Sequence, residues 1–183
     1  RLAPVDVGPE TDFTLKTLLA DLPPDQDIFY RFVAADLQEI NAVSNAVRGQ
    51  FRTAPSERRD VRFIWSGDTA GQGWGIDDDG MRTYRTIAAH RPDFMIHSGD
   101  TIYADNPMPD EIRLRDGSVW KNRIVTDEKR EVARTLDEFR GQWKYNLLDE
   151  HVRDLHAHCP VFHQWDDHEV LNNWSPSSDL RDD

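Results

Sequence analysis

Two short apolar runs in this chain close on the same pair of residues. "VRFIWSGD" (61–68) and "DFMIHSGD" (93–100) both end in Gly-Asp. Between them, "GMRTYRTIAAHRP" (80–92) spaces Met81, Tyr84, Ile87 and Ala88 three and four apart, as on one helix face, and Pro92 stops it. Strand, helix and strand in this order predict a βαβ unit, and such a crossover makes its two strands parallel. A third apolar run, "CPVFHQWDDHE" (159–169), also ends in acids. In a parallel sheet these ends share one edge, the edge where open α/β sheets bind ligands. The predicted class is α/β, and α+β over the whole chain.

The flanks read differently. "DFTLKTLLADL", "IFYRFVAAD" and "VRGQFRTAP", within residues 1–54, are rich in β-branched and aromatic residues and punctuated by Pro23-Pro24-Asp25 and by Asn41, Asn45 and Gly49. They predict two or three antiparallel strands, too few to close a sandwich alone. "APSERRD" (54–60) reads as a linker, with a second unit from residue 61. Residues 104–126 read as a polar excursion loop. Val132, Leu136, Phe139, Trp143 and Leu147 then recur at helical spacing, with Asp127 and Glu128 placed for the first turn. The pattern runs on through Val152 and Leu155 as a second helix.

Charge narrows the function. The chain has 22 basic and 34 acidic residues, a formal net charge of −12. That argues against a general nucleic-acid surface, which needs a basic stripe. It suits multivalent cations once the acids are clustered. Asp68, Asp100 and the pair Asp166-Asp167 are so clustered, because each ends a predicted strand. Carboxylates aimed into one crevice repel unless a cation lies between them. Oxygen-rich ligation suits Ca²⁺, Mg²⁺, Mn²⁺ or Fe³⁺, and one carboxylate can bridge two ions.

The neighbouring residues carry less specific signals. Tyr103, three residues after Asp100, can turn its phenol back to the same ion or be a half-buried loop aromatic; spacing leaves both open. A phenolate favours trivalent iron over Mg²⁺. His168, inside "DDHE", can ligate a metal or donate to a phosphoryl oxygen or leaving group. Asn172 and Asn173 can ligate through oxygen or cap a loop. His97 is expected in the core or behind the site. His156 and His158 would be splayed apart on a helix. "IDDDGM" (76–81) lacks the bidentate Glu of a Ca²⁺ loop and reads as a solvated turn. "GQGWG" (71–75) lacks a Walker Lys and reads as a shaping loop. Cys159 is the single cysteine, so no internal disulfide forms, and it reads as a buried structural thiol. No apolar run is long enough for a membrane span. No leader is visible at Arg1; a mature chain would have lost one.

"SGD…GQGWG", "DFMIHSGDTIYAD" and "WDDHEVLNNW" resemble, in order and spacing over residues 61–174, the successive motifs of PhoD-like alkaline phosphatases, within the calcineurin-like metallophosphoesterases. The Gly-Asp-x-x-Tyr element is also similar to that of purple acid phosphatases. "LPPDQDIFYRF" and "GQFRTAP" resemble the last strands of the family's amino-terminal fibronectin- or immunoglobulin-like domain. The resemblance implies the end of such a β-sandwich over 1–54 and the first half of the metallophosphoesterase α/β sandwich over 61–183. It implies that Asp68 belongs to the first metal motif and that Asp100 bridges two metals. It further implies that Tyr103 binds the iron-like metal, Asp167 binds the second, and His168 contacts the phosphoryl group or protonates the leaving oxygen. The implied cofactors are two or more ions, Ca²⁺ and Fe³⁺, with Mn²⁺, Mg²⁺ or Zn²⁺ as alternatives.

The implied activity is hydrolysis of phosphomonoesters and phosphodiesters, after export to the periplasm or medium. The rival readings are a phospholipase D-like or nucleotide phosphodiesterase of the same superfamily, and a non-catalytic acidic cation-binding module. One departure is local: the family pattern has Cys after Ser at the first motif, whereas Gly67 follows Ser66 here and Asp68 is the substitute. The other is that the family's later His motifs lie beyond Asp183. The chain therefore reads as an internal piece that needs the other half of the catalytic domain, and by itself it is expected to be inactive or weakly metal-binding.

Overall fold

A computed structural model describes residues 2–39, 41–69 and 76–179. In chain order its strands and α-helices are β1 (Asp27–Phe32), β2 (Val47–Arg52), β3 (Phe63–Ser66), α1 (Arg82–Ala89), β4 (Phe94–His97), β5 (Glu111–Arg113), β6 (Val119–Lys121), α2 (Leu136–Asn146), α3 (Glu150–His158) and β7 (Val161–His163). The class is α/β, as expected. "GQGWG" lies outside the described residues.

The βαβ unit forms as the periodicity predicts. β3 and β4 are parallel, with Phe63 opposite Phe94 and Ser66 opposite His97. β7 joins on the far side of β4, also parallel, giving the order β3-β4-β7. One face of this sheet is packed: Ile64, Met95 and Val161 meet Tyr84 and Ile87 of α1 and Val152 and Leu155 of α3, with the buried Cys159 beside them. Burial pushes the Cys159 thiol up to about 11, which suits an inert structural role. The opposite face carries Phe63, Phe94 and Phe162; the Phe63 and Phe94 rings stack face to face at 5.4 Å, and Phe162 meets Phe94 edge-on at 5.7 Å. Phe63 and Phe162 stay more than half exposed.

Helix termini lock this layer together. Asp149 caps α3 through its Oδ1, which accepts from the His151 and Val152 amides, while its Oδ2 accepts from the Met81 amide at the start of α1. α2 opens on a capping box between Thr135 and Glu138.

Three expectations change. First, "DFTLKTLLADL" is not a strand. Asp12, Phe13 and Asp21 have positive φ, Leu15 and Leu18 are exposed, and no strand pairs with the segment among the described residues. Among the described residues there, β1 and β2 pair antiparallel, an isolated Ala35–Val43 bridge lies beyond them, and Tyr30 of β1 donates to the Ala157 carbonyl of α3 at 3.2 Å. Second, the excursion at 104–126 contains the β5–β6 hairpin. Third, Asp127 and Glu128 form a separate 3₁₀ turn, and Val132 precedes α2. α2 turns Gly141, Gln142, Tyr145 and Asn146 inward and leaves Leu136 and Leu147 exposed. The polar inward face has partners: Asn146 donates to the Thr101 carbonyl at 2.6 Å, and Gln142 accepts from Lys129. No helix among the described residues is long and apolar enough to cross a membrane.

Candidate metal centre

The carboxyl ends of β3, β4 and β7 lie together, so the loops that follow them share one edge. Asp68 and Asp100 both take the left-handed region, at φ 55° and 51°. Aspartate tolerates that region better than most residues. The β3–β4 ladder continues past the strands, through Asp68 N–H to the Gly99 carbonyl at 3.1 Å and Thr69 N–H to the Asp100 carbonyl at 2.8 Å. The two acids therefore emerge side by side rather than from unrelated turns.

Tyr103 closes the gap between them. Its hydroxyl donates to Asp68 Oδ1 at 2.8 Å and lies 3.5 Å from Asp100 Oδ2. Burial, then the Asp68 hydrogen bond and the charges of Asp68 and Asp100, hold the phenol well above its ordinary value. Asp100 is buried, and desolvation, with the charges of Asp68 and Asp166, raises it to about 6 against the pull of the His168 amide and ring. Three oxygens thus converge on the one phenolic proton. That donor set fits a hard cation, which in the proton's place would relieve the repulsion raising both groups.

The loop after β7 adds two groups. Asp100, Asp167 and His168 each bring a ligand atom within 4.8 Å of the others. Asp167 accepts from the Asn173 amide, and the His168 amide donates to Asp100 Oδ1 at 3.3 Å. The His168 ring lies against Tyr103, centroids 4.4 Å apart. Its Nδ1 sits 2.9 and 3.0 Å from the two Asp105 oxygens. Desolvation lowers the imidazole, but the Asp105 hydrogen bond and the charges of Asp105, Asp100 and Asp167 outweigh it, so the net shift is upward. With Nδ1 engaged, Nε2 is the nitrogen left for a ligand.

The site residues expected from sequence, Asp68, Asp100, Tyr103, Asp167 and His168, thus form one connected group. Asn172 and Asn173 contribute backbone amides to Asp105 and Asp167, which suits loop capping. His97 is buried behind the site between Thr69 and Thr101. "IDDDGM" is a turn whose Asp77 and Asp79 pair with Arg82. Two residues escaped sequence reasoning. Asp105 holds His168, and Glu169 holds backbone amides of two loops. The signals available were the second acid of "GDTIYAD" and a Glu set directly before the apolar pair Val170-Leu171.

Comparison with known proteins rests on this geometry. The family model for PhoD-like phosphatase matches residues 63–183, well over half of the chain, and the model for its N-terminal domain matches residues 2–55. The chain belongs to the PhoD-like phosphatase family. Alkaline phosphatase D of Bacillus subtilis (strain 168) is 28% identical over 155 residues, which are 84% of this chain and 24% of that protein. A solved structure of PhoD aligns with a TM-score of 0.59 at 25% identity, covering 84% of this chain and 26% of its own. The chain thus spans about a quarter of the length of the PhoD relatives it matches. In PhoD-like terms, the site described above lies wholly within the segment matched by the phosphatase model.

Proposed function

We propose that this chain is part of a metal-dependent phosphoester hydrolase and supplies one wall of its cation site. The observation that carries the reading is the convergence of Asp100, Asp167 and His168 ligand atoms within 4.8 Å, from two strand-end loops of one parallel sheet. Family membership supports phosphate esters as the substrate class. In this reading residues 1–54 end a small β domain, and residues 61–183 form the first half of the catalytic domain. The separate β1–β2 sheet and its polar linker support that division.

Asp68, Asp100 and Tyr103 would hold one cation, and Asp100 with Asp167 a second. When bound, such ions supply positive charge against the phosphoryl group and lower the pKa of water. The donor chemistry accommodates Ca²⁺ and Fe³⁺. His168, beside these ligands, is assigned as the proton donor and not as a ligand. Asp105 fixes its Nδ1 edge and favours the charged ring, so Nε2–H can donate to a phosphoryl oxygen or protonate the leaving alkoxide.

The test is calorimetric titration of the chain with Mn²⁺ and Ca²⁺, alongside turnover of a phosphomonoester and a phosphodiester. Binding should be weak but measurable, and Asp100→Asn should abolish it. Turnover by the chain alone should be slight. Unchanged cation binding by Asp100→Asn would remove the basis of the reading.

A further inference from the structure

Glu169 is 3% exposed, yet no Lys, Arg or His nitrogen reaches ion-pair distance of its carboxylate among the described residues. The hydrogen bonds to it all come from backbone. Oε1 accepts from Thr101 N–H at 2.6 Å and from Ile102 N–H at 3.3 Å. Oε2 accepts from Asp100 N–H at 3.1 Å and from Asp166 N–H at 2.8 Å. A carboxylate has about four acceptor sites, so these four amides saturate it. Three of them belong to the loop after β4 and one to the loop after β7. One side chain therefore sets the distance between the loops that carry Asp100 and Asp167.

We propose that Glu169 is the positioning residue of the cation site, a charged clamp that holds the ligand-bearing loops in register. The inference rests on the metal-site reading above. No neutral side chain can replace the clamp. Gln would turn an NH₂ donor toward one pair of amide donors, leaving both buried and unpaired. Asp keeps the charge but is one methylene too short to reach both loops. The four amide donors favour the charged form of the carboxylate and so keep the clamp closed. Groups that orient metal ligands from behind typically control affinity by about 10- to 100-fold.

The test combines hydrogen exchange with Mn²⁺ titration on the chain and on Glu169→Gln and Glu169→Asp. In the unsubstituted chain, the amides of Asp100, Thr101, Ile102 and Asp166 should exchange together, with similar protection. In either variant, protection at these four should fall by about tenfold or more, and Mn²⁺ should bind about 10- to 100-fold more weakly well below the unfolding midpoint. A merely structural Glu169 would shift that midpoint and leave the affinity of the folded fraction unchanged, which overturns the proposal. So does a protection difference of more than about tenfold between the two loops in the unsubstituted chain, a result that needs no folded variant. If the unsubstituted chain bound no cation at all, the metal-site reading would fail, while coordinated loss of the four amides in the variants would still establish the clamp.

Discussion

The Tyr103 hydroxyl and Asp68 Oδ1, 35 residues apart, are joined by a 2.8 Å hydrogen bond across the open edge of the sheet. The bond involves an exposed carboxylate, so its removal should cost the fold little, about 0.5 kcal/mol or less. Its removal should cost the cation site more. Tyr103→Phe is expected to weaken Mn²⁺ or Fe³⁺ binding by about tenfold or more, equal to about 1.4 kcal/mol, with the unfolding midpoint nearly unchanged. Titration calorimetry and thermal unfolding of the same samples check this, and equal affinities would remove Tyr103 from the ligand set.

Asp105 and His168 form the second pair. Asp105→Asn removes the charge that holds the imidazole upward, so the His168 pKa should fall. The stability consequence follows the same sign. A folded value above 6.5 stabilises the fold below that pH, and the gain is lost as pH rises through the folded value. NMR titration of the His168 ring in both proteins is the measurement. An upward shift or none in Asp105→Asn would contradict the assignment of Asp105 as its orienting partner.

What could be read from the sequence follows the range of the interactions. The β3–α1–β4 crossover was legible because apolar spacing is local, and the acids at strand ends followed from topology alone. The roles of Asp105 and Glu169 were not legible, since His168 and three of the four amides that Glu169 holds lie more than 60 residues away and no spacing rule connects them. α2 was recognised as a helix, and Phe139 and Trp143 of its apolar stripe do pack against Ile102, Ala104 and Ala133, but Leu136 and Leu147 at its ends are exposed. Gln142 and Asn146 are also turned inward, by Lys129 and the Thr101 carbonyl, contacts that no apolar stripe announces. "DFTLKTLLADL" carries strand-like composition without a partner strand, and backbone in extended form needs one.

Acid should destabilise the fold through a histidine group behind the sheet. His97, His163 and His156 stack in sequence, centroids 5.4 and 5.6 Å apart, with Tyr84 and Trp143 at the margins and Glu169 and Asp68 acting on His97. His156 Nε2 is buried without a partner, and desolvation, then the charges of His163 and His97, lowers it to about 4. The unfolded chain takes up that proton near 6.5 and the folded chain near 4. Stability should therefore fall as pH drops from 6.5 to 4, by up to about 3 kcal/mol for this group. Urea unfolding at pH 7 and pH 4.5 should show a smaller loss in His156→Phe than in the parent; equal losses would place the acid sensitivity elsewhere.

Alkali should act oppositely through Lys129. Its side chain is 1% exposed, donates to Gln142 and the Tyr103 carbonyl, and lies 5.5 Å over the Tyr145 ring. Desolvation lowers the ammonium to about 8, with the Asp105 charge opposing. The unfolded chain holds this proton to about 10.5, so stability should rise between pH 8 and 10.5, by up to about 3 kcal/mol. Lys129→Met should flatten that rise in denaturant melts. An unaltered slope would show that Lys129 does not supply it.

Gly99 permits the closest approach in the site, between the turn after β4 and the start of the acidic loop. At φ +105° an added Cβ would lie 2.3 Å from Asp166 Cβ and 2.7 Å from Asp166 N, contacts with backbone that no rotamer relieves. Gly117, in the β5–β6 hairpin, has φ +86° and nothing within 4 Å. The two glycines separate backbone conformation from packing. Gly117→Ala should cost only the left-handed penalty, about 1–2 kcal/mol. Gly99→Ala should add the overlap to a similar penalty, for a total above about 3 kcal/mol, and should force the Asp100 and Asp167 loops apart. Cation affinity should fall in Gly99→Ala and hold in Gly117→Ala. Equal destabilisation by both, with cation binding intact in both, would mean that the loops do not need this contact to form the site.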